Sequence, residues 1–288
     1  MDNISTIILA ASLFIIMLGM GLSLVVSDFK RILIYPKAIL VGLANQLIIL
    51  PLVGFILASV FSLKPEIAIG IMILAACPGG ATSNLISHLA KGDIALSVTL
   101  TAFSSLITII TIPFIVNFSL LYFLSEDQTI QLNVIETIIQ ILVIIIVPVS
   151  IGMIIRKYNE PFALRMAKPV KVASAIVLAL VIVGILIKEK DNFMSYLQEA
   201  GLVALLLNIF TMAIGYYSAK LFRVHQKGAM SIAIESGIQN GTLAISVAIA
   251  ILHNTSFAIA PAVYSLLMFF TGGIVIFLGI RKSKKNES

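Results

Sequence analysis

Nine long apolar stretches divided by short polar breaks run through this sequence, at residues 4–26, 38–61, 66–90, 94–124, 132–155, 169–187, 196–222, 228–252 and 256–280. Each is close to or above the ~20 residues that an α-helix needs to cross a bilayer. They are numbered segments 1 to 9 below. Hydrophobic residues make up 60% of the chain and charged residues 11%, whereas soluble domains carry about 25% charged residues. Mean hydropathy is +1.12. A water-soluble core cannot hide that much apolar surface, so lipid must cover the rest. The expected fold is an all-α integral membrane bundle of nine transmembrane helices.

Charge tests the count of nine, because Lys and Arg gather in cytoplasmic loops. After segments 1, 3, 5 and 7 come Lys30, Arg31 and Lys37; Lys91; Arg156, Lys157, Arg165, Lys168 and Lys171; and Lys220, Arg223 and Lys227. After segment 9 come Arg281, Lys282, Lys284 and Lys285. That places sixteen of the nineteen basic residues on one side and leaves Lys64, Lys188 and Lys190 for the other. A miscounted helix would mix the two sets. The pattern predicts an N-terminus outside and a C-terminus in the cytoplasm, in a cell inner membrane or plasma membrane. It also accounts for the net charge of +6 without a nucleic-acid partner.

The flank of segment 1 has Asp2 and no basic residue, and its apolar run exceeds a signal core, so a retained helix is expected. The lone Cys77 excludes an internal disulfide. His88, His225 and His253 lack metal-ligand spacing. No nucleophile–base pair or phosphate loop is present, so no catalytic residue is assigned and an enzyme is not expected.

Segments 3 and 8 cannot be continuous helices. Segment 3 holds Cys77-Pro78-Gly79-Gly80-Ala81-Thr82-Ser83-Asn84 at its middle. Proline removes a backbone donor, and paired glycines favour non-helical angles. Segment 8 holds Glu235-Ser236-Gly237-Ile238-Gln239-Asn240-Gly241-Thr242. A plain proline kink is the simple alternative for the first break. Unwound backbone at membrane depth, however, survives only where it lines a cavity or is buried in protein. Two such breaks at matching positions mark the midplane site of a secondary transporter. Segments 3 and 8 are five apart, an odd offset, so they run in opposite directions and cross. Residues 1–288 therefore read as one transporter domain of two inverted-topology halves. Segments 1–4 (about 4–124) form one half and segments 6–9 (about 169–280) the other. Segment 5 (about 132–155) connects them, and 281–288 is a cytoplasmic tail expected to be disordered. Segment 2 carries Asn45 and Gln46, and its counterpart, segment 7, carries Asn208.

Of thirteen acidic residues only Glu235 lies deep inside a segment. A charge there costs at least ~2.5–3.5 kcal/mol, and no Lys or Arg sits at that depth. A bound cation is the expected partner; a protonated glutamic acid joining helices is the alternative. A hard cation such as sodium takes oxygen ligands. Ser83, Asn84, Glu235 and Gln239 supply them, as do carbonyls near Ser236 and Ile238. In segment 4, Ser97, Thr101, Ser104, Ser105 and Thr108 share one face, and the last three read equally well as close helix packing. The half-helix N-termini near Ala81–Thr82 and Asn240–Gly241–Thr242 carry partial positive charge. They are expected to face a carboxylate or sulfonate substrate.

These residues resemble the bile acid:sodium symporter family. The resemblance lies in Cys77-Pro78-Gly79-Gly80, Ser83-Asn84, Gly92-Asp93 and Ala95-Leu96-Ser97. It continues in Glu235-x-Gly237-x-Gln239-Asn240 and, earlier, in Gly19-Met20-Gly21-Leu22, Ser27-Asp28-Phe29 and Pro36-Lys37. It implies two sodium ions carried as co-substrates. One would be held by Ser83, Asn84, Ser97, Thr101 and Glu235, the other by Gln46, Glu235, Gln239 and the carbonyls of Ser236 and Ile238. It also implies a core of segments 2, 3, 4, 7, 8 and 9 moving against a panel of segments 1, 5 and 6. Ala81 stands where members often have threonine, and Met268 and Phe269 stand where some place polar residues. The expected function is therefore sodium-coupled symport, by alternating access, of a small organic anion: bile-acid-like or a smaller carboxylate. No oligomer is implied. A proton-coupled antiporter of similar architecture and a non-transporting membrane receptor are the alternatives.

Overall fold

The structure is a computed structural model that describes residues 3–125, 132–188 and 193–287. Lys190 and Ser288 lie outside them. Every regular element among the described residues is helical. Five helical stretches are long and apolar enough to cross a bilayer, or six if the bent pair at the start counts as one span.

That bent pair is α1 (Asn3–Ser23) and α2 (Val26–Lys30). The chain turns by 72° between them, so the first helix stops short of the expected residue 26. Asp28 causes the turn: its carboxylate reaches back to the Val25 N–H at 2.9 Å and satisfies one of the free donors of the new helix start. One span follows, built from α3 (Pro36–Ala44) and α4 (Leu50–Val60) and joined by a π-helical turn at Asn45–Ile49. Next come α5 (Pro65–Ala76), α6 (Ala81–Leu89) and the thirty-residue α7 (Ile94–Phe123). The second part of the chain forms α8 (Val134–Tyr158), α9 (Glu160–Lys188) and α10 (Phe193–Leu221). After them come α11 (Gln226–Gly237), α12 (Gly241–Ser246), a π turn at Val247–Ile251 and α13 (Ile259–Glu287).

Two boundaries differ from the sequence expectation. α9 begins at Glu160, not near residue 169, so Arg165, Lys168 and Lys171 fall on its first turns and not in a loop. Asn159 sets that start, its side chain accepting the Phe162 N–H at 3.1 Å. The tail expected to be disordered from Arg281 continues α13 as helix to Glu287. Lys and Arg are good helix formers and suit a helix C-terminus.

α1, α8 and α9 pack on one another, while α3 to α7 and α10 to α13 form the larger group. The larger group holds the two breaks at its centre. Residues 67–76 of α5 and 231–237 of α11 are buried throughout. The α6–α7 turn is tied to the start of α11: Asp93 N–H donates to Lys227 O at 3.1 Å, Ser231 donates to Asp93 O at 2.9 Å, and His225 meets the Asp93 carboxylate at 3.3 Å.

Candidate functional site

Both breaks fall where the sequence places them. α5 ends at Ala76 and α6 begins at Ala81; α11 ends at Gly237 and α12 begins at Gly241. The unwound pieces cross each other, with Gly79 and Gln239 paired in a single antiparallel bridge and Asn240 N–H donating to Pro78 O at 2.9 Å. Each break thus meets some of the backbone needs of the other, which a lone kinked helix cannot do. Glycine at position 79 leaves room for the polar side chains beside it. A Cβ there would strike Glu235 Oε2 and crowd the Gln46 amide and the Ser83 hydroxyl.

Glu235 is fully buried and lies among hydroxyls from two helices, α6 and α7. Ser83 donates to its Oε1 at 2.6 Å and Ser97 at 2.5 Å. Thr101 lies 3.1 and 3.0 Å from its two oxygens, and Gln46 Nε2 lies 3.1 Å from Oε2. Asn84 Oδ1 adds another oxygen, 2.9 Å from Ser97 and 3.4 Å from Thr101. Among the described residues, no Lys, Arg or His pairs with Glu235.

Proton supply is short here. The hydroxyls of Ser83, Ser97 and Thr101 bring three protons. They face five acceptor atoms: both Glu235 oxygens, Asn84 Oδ1, and the carbonyls of Gly80 and Ser97. A second shortage lies one step along the chain. Gln46 Nε2 donates to Glu235 O at 2.9 Å, and Gln239 Nε2 donates to Glu235 O and Ser236 O at 3.1 and 3.0 Å. The Oε1 atoms of both glutamines are left buried without a hydrogen-bond partner. Unpaired buried oxygens are costly in protein, and a water or a cation is among the partners that can satisfy them. The π turn at Asn45–Ile49 sits where Gln46 enters the cluster, a common placing for such turns.

The structure therefore brings together Gln46, Ser83, Asn84, Ser97, Thr101, Glu235, Ser236 and Gln239. Ser104, Ser105 and Thr108 stay apart: each hydroxyl bonds back to its own helix, the packing role left open above. Ala81, Thr82, Asn240, Gly241 and Thr242 line a cavity of about 130 Å³. Its other walls are Ile16, Met17, Gly19 and Met20 of α1, Leu85 of α6, Val170 of α9, and Met268 and Phe269 of α13, with Gly80 and Gln239 at the break. No charged side chain lines it. The Asn240 side chain is committed to the helix start, where it accepts the Leu243 N–H at 3.0 Å.

Sequence reasoning missed Tyr264. It is fully buried on α13, and its hydroxyl reaches the second break, donating to Gly237 O at 2.7 Å. A signal was available: a tyrosine hydroxyl at bilayer depth needs a partner.

Residues 10–196 match the model of the sodium bile acid symporter family. A sodium-dependent transporter of Bacillus subtilis, YocS, is 30% identical over 278 residues, which is 95% of this chain and 83% of the relative. The ileal sodium/bile acid cotransporter of Oryctolagus cuniculus is 29% identical over 289 residues, covering 97% and 79%. A probable chloroplastic sodium/metabolite cotransporter of Arabidopsis thaliana, BASS1, is 27% identical over 274 residues, covering 95% and 67%. These relatives are transporters and not enzymes, and this chain, a multi-pass membrane protein, belongs with them to the sodium bile acid symporter family.

Proposed function

We propose that this chain is a symporter that couples the inward movement of two sodium ions to that of one small organic anion. The observation that carries the reading is the set of buried, unpartnered amide oxygens of Gln46 and Gln239 beside the buried carboxylate of Glu235. A proton on Glu235 would balance the hydroxyl cluster but leave both amide oxygens unpaired. A cation takes them: when each amide turns over, two oxygens point inward and the carbonyls of Glu235 and Ser236 are released as further ligands. That distinction favours sodium over the proton-coupled alternative.

One ion is assigned to Ser83, Asn84, Ser97, Thr101 and Glu235. The other is assigned to Gln46, Gln239, Glu235 and the carbonyls of Ser236 and Ile238. The shared carboxylate couples the two sites, and a cycle that moves the anion only with both filled responds to sodium more steeply than a one-ion cycle. The substrate occupies the cavity at Ala81, Thr82, Asn240, Gly241 and Thr242. No basic side chain is available there to hold its carboxylate, so backbone N–H groups in the first turns, at Ala81, Thr82 and Thr242, carry that role. The apolar walls favour a compact hydrocarbon body.

Nine passes follow when α5–α6, α9 and α11–α12 are added to the five spans long enough on their own and the bent α1–α2 pair. The halves, residues 4–124 and 169–280, are then of opposite topology about the connector 132–155. With sixteen basic residues on one side, the N-terminus is outside and the C-terminus cytoplasmic. The group α1, α8 and α9 is the panel against which the larger group moves, with the cavity between them.

The test is uptake into proteoliposomes of a panel of labelled organic anions, with and without an inward sodium gradient. Accumulation of at least one carboxylate that needs sodium, not a proton gradient, supports the reading. Accumulation driven by protons alone refutes it. Gln46→Ala and Asn84→Ala each remove one oxygen from a different site. Each is expected to raise the sodium half-saturation about ten- to a hundredfold, the range for lost contacts to a charged group, and to lower the Hill coefficient toward one. Wild-type sodium titrations in both variants would show the ligand assignment to be wrong.

A further inference from the structure

Gly237 is the last residue of α11. In an unbroken helix its carbonyl would accept the Gly241 N–H. That N–H turns instead to Gln239 O at 3.0 Å. The freed carbonyl is held from two other helices: Asn208 Nδ2 on α10 donates to it at 2.7 Å, and the Tyr264 hydroxyl on α13 donates to it at 2.7 Å. The two donors lie 3.2 Å apart, and both side chains are fully buried.

Asn208 leaves its own Oδ1 buried without a partner. Reversing the amide would set that oxygen against the Gly237 carbonyl, so the grip on Gly237 fixes the orientation. The approach needs glycine at 237, since a Cβ there would strike the Met212 side chain, one turn after Asn208.

The position of this grip matters. The carbonyls of Glu235 and Ser236, just before it, are held by glutamine amides that can turn. The Gly237 carbonyl is held by groups that contribute nothing to the Glu235 cluster. At bilayer depth a freed carbonyl must find a donor in protein. Without Asn208 and Tyr264, the nearest remedy is for α11 to wind on and take the Gly241 N–H. That winding would draw the carbonyls of Glu235 and Ser236 into ordinary helical bonds and away from an ion.

We infer that Asn208 and Tyr264 are positioning residues, a clamp on the Gly237 carbonyl that holds the second break unwound and thereby sets the affinity for sodium. The inference rests on the sodium reading of Glu235 and adds two residues that touch no ion.

The experiment uses the full chain purified in detergent. Melting temperature is followed against sodium chloride, with choline chloride keeping ionic strength constant. The rise is logarithmic in one plus sodium concentration over its dissociation constant, and the constant fitted from it, called the sodium midpoint below, reports affinity; the melting temperature without sodium reports the bare fold. Tyr264→Phe keeps the ring and removes one of two donors. It is expected to raise the sodium midpoint about two- to tenfold, as loss of one neutral hydrogen bond implies. Asn208→Ala, which leaves the tyrosine hydroxyl in place, reads the same quantity if Tyr264→Phe does not fold. Tyr216→Phe removes a tyrosine–amide hydrogen bond to Gln226, outside the breaks, and is expected to leave the midpoint unchanged. A clamp variant that melts lower without sodium yet keeps the wild-type midpoint overturns the inference and makes both residues merely structural. If Glu235→Gln abolishes the sodium response while both clamp variants keep the wild-type midpoint, the clamp alone fails. If the wild type shows no sodium response, the sodium reading fails and the clamp's role falls with it.

Discussion

Glu235→Gln is expected to abolish sodium-dependent uptake and to leave the fold intact. The substitution keeps the shape of the side chain and removes its charge. That charge is fully buried, shared by both proposed ion sites and, among the described residues, paired with no basic group. Removing one partner of a buried charge pair costs ~3–5 kcal/mol, so sodium affinity should fall by more than about a hundredfold. The bare fold is affected in the opposite direction. A charge at bilayer depth costs ~2.5–3.5 kcal/mol, and the variant escapes that cost while its amide can still engage Ser83, Ser97 and Thr101. Melting in sodium-free detergent should therefore be unchanged or higher, while the rise on adding sodium disappears. A protein needing Glu235 only as a structural hydrogen-bonding acid would respond otherwise: its uptake would keep its sodium dependence. Normal sodium dependence in purified, monodisperse Glu235→Gln protein would remove Glu235 from the ion site.

The parts of this protein that were legible in its sequence are those where residue chemistry conflicts with a continuous apolar helix. Pro78-Gly79-Gly80 and Gly237 to Gly241 end helices for backbone reasons that hold in any context, and α5–α6 and α11–α12 break there. Glu235 stood out because a carboxylate at that depth needs a partner. The hydroxyls of Ser97 and Thr101 lay on one face with Ser104, Ser105 and Thr108, and spacing alone could not separate the two groups. Only the position of α7 against α6 and α11 decides which hydroxyls meet Glu235 and which bond back to their own helix. Tyr264 was legible only as a hydroxyl in need of a partner, for a related reason. It sits in an apolar run, and its value lies in a carbonyl 27 residues earlier. Boundaries were least legible where local capping overrides hydropathy. Asp28 turns the chain after Ser23, and Asn159 starts α9 within a stretch that charge alone marks as loop.

Uptake of a monovalent anion is expected to respond strongly to membrane potential. With two sodium ions per anion, each cycle carries one net positive charge inward, and a potential of ~100 mV contributes ~2.3 kcal/mol. A tenfold sodium gradient contributes ~1.4 kcal/mol per ion. Together these drive about 5 kcal/mol of work, a ceiling of several thousand-fold, roughly, on accumulation. One sodium per anion would make the cycle electroneutral and hold the ceiling near about tenfold under the same gradient. The two readings thus differ by more than two orders of magnitude in the accumulation they permit. They also differ in kinetics, since a cycle that needs both ions gives a sodium Hill coefficient above one. Potassium diffusion potentials set with valinomycin in proteoliposomes separate them. An inside-negative potential should raise both initial rate and final accumulation at fixed sodium. Uptake that requires sodium but ignores the imposed potential would exclude the two-ion cycle. It would leave the cluster at Ser83, Ser97, Thr101 and Glu235 competing with the Gln46 and Gln239 set for a single ion.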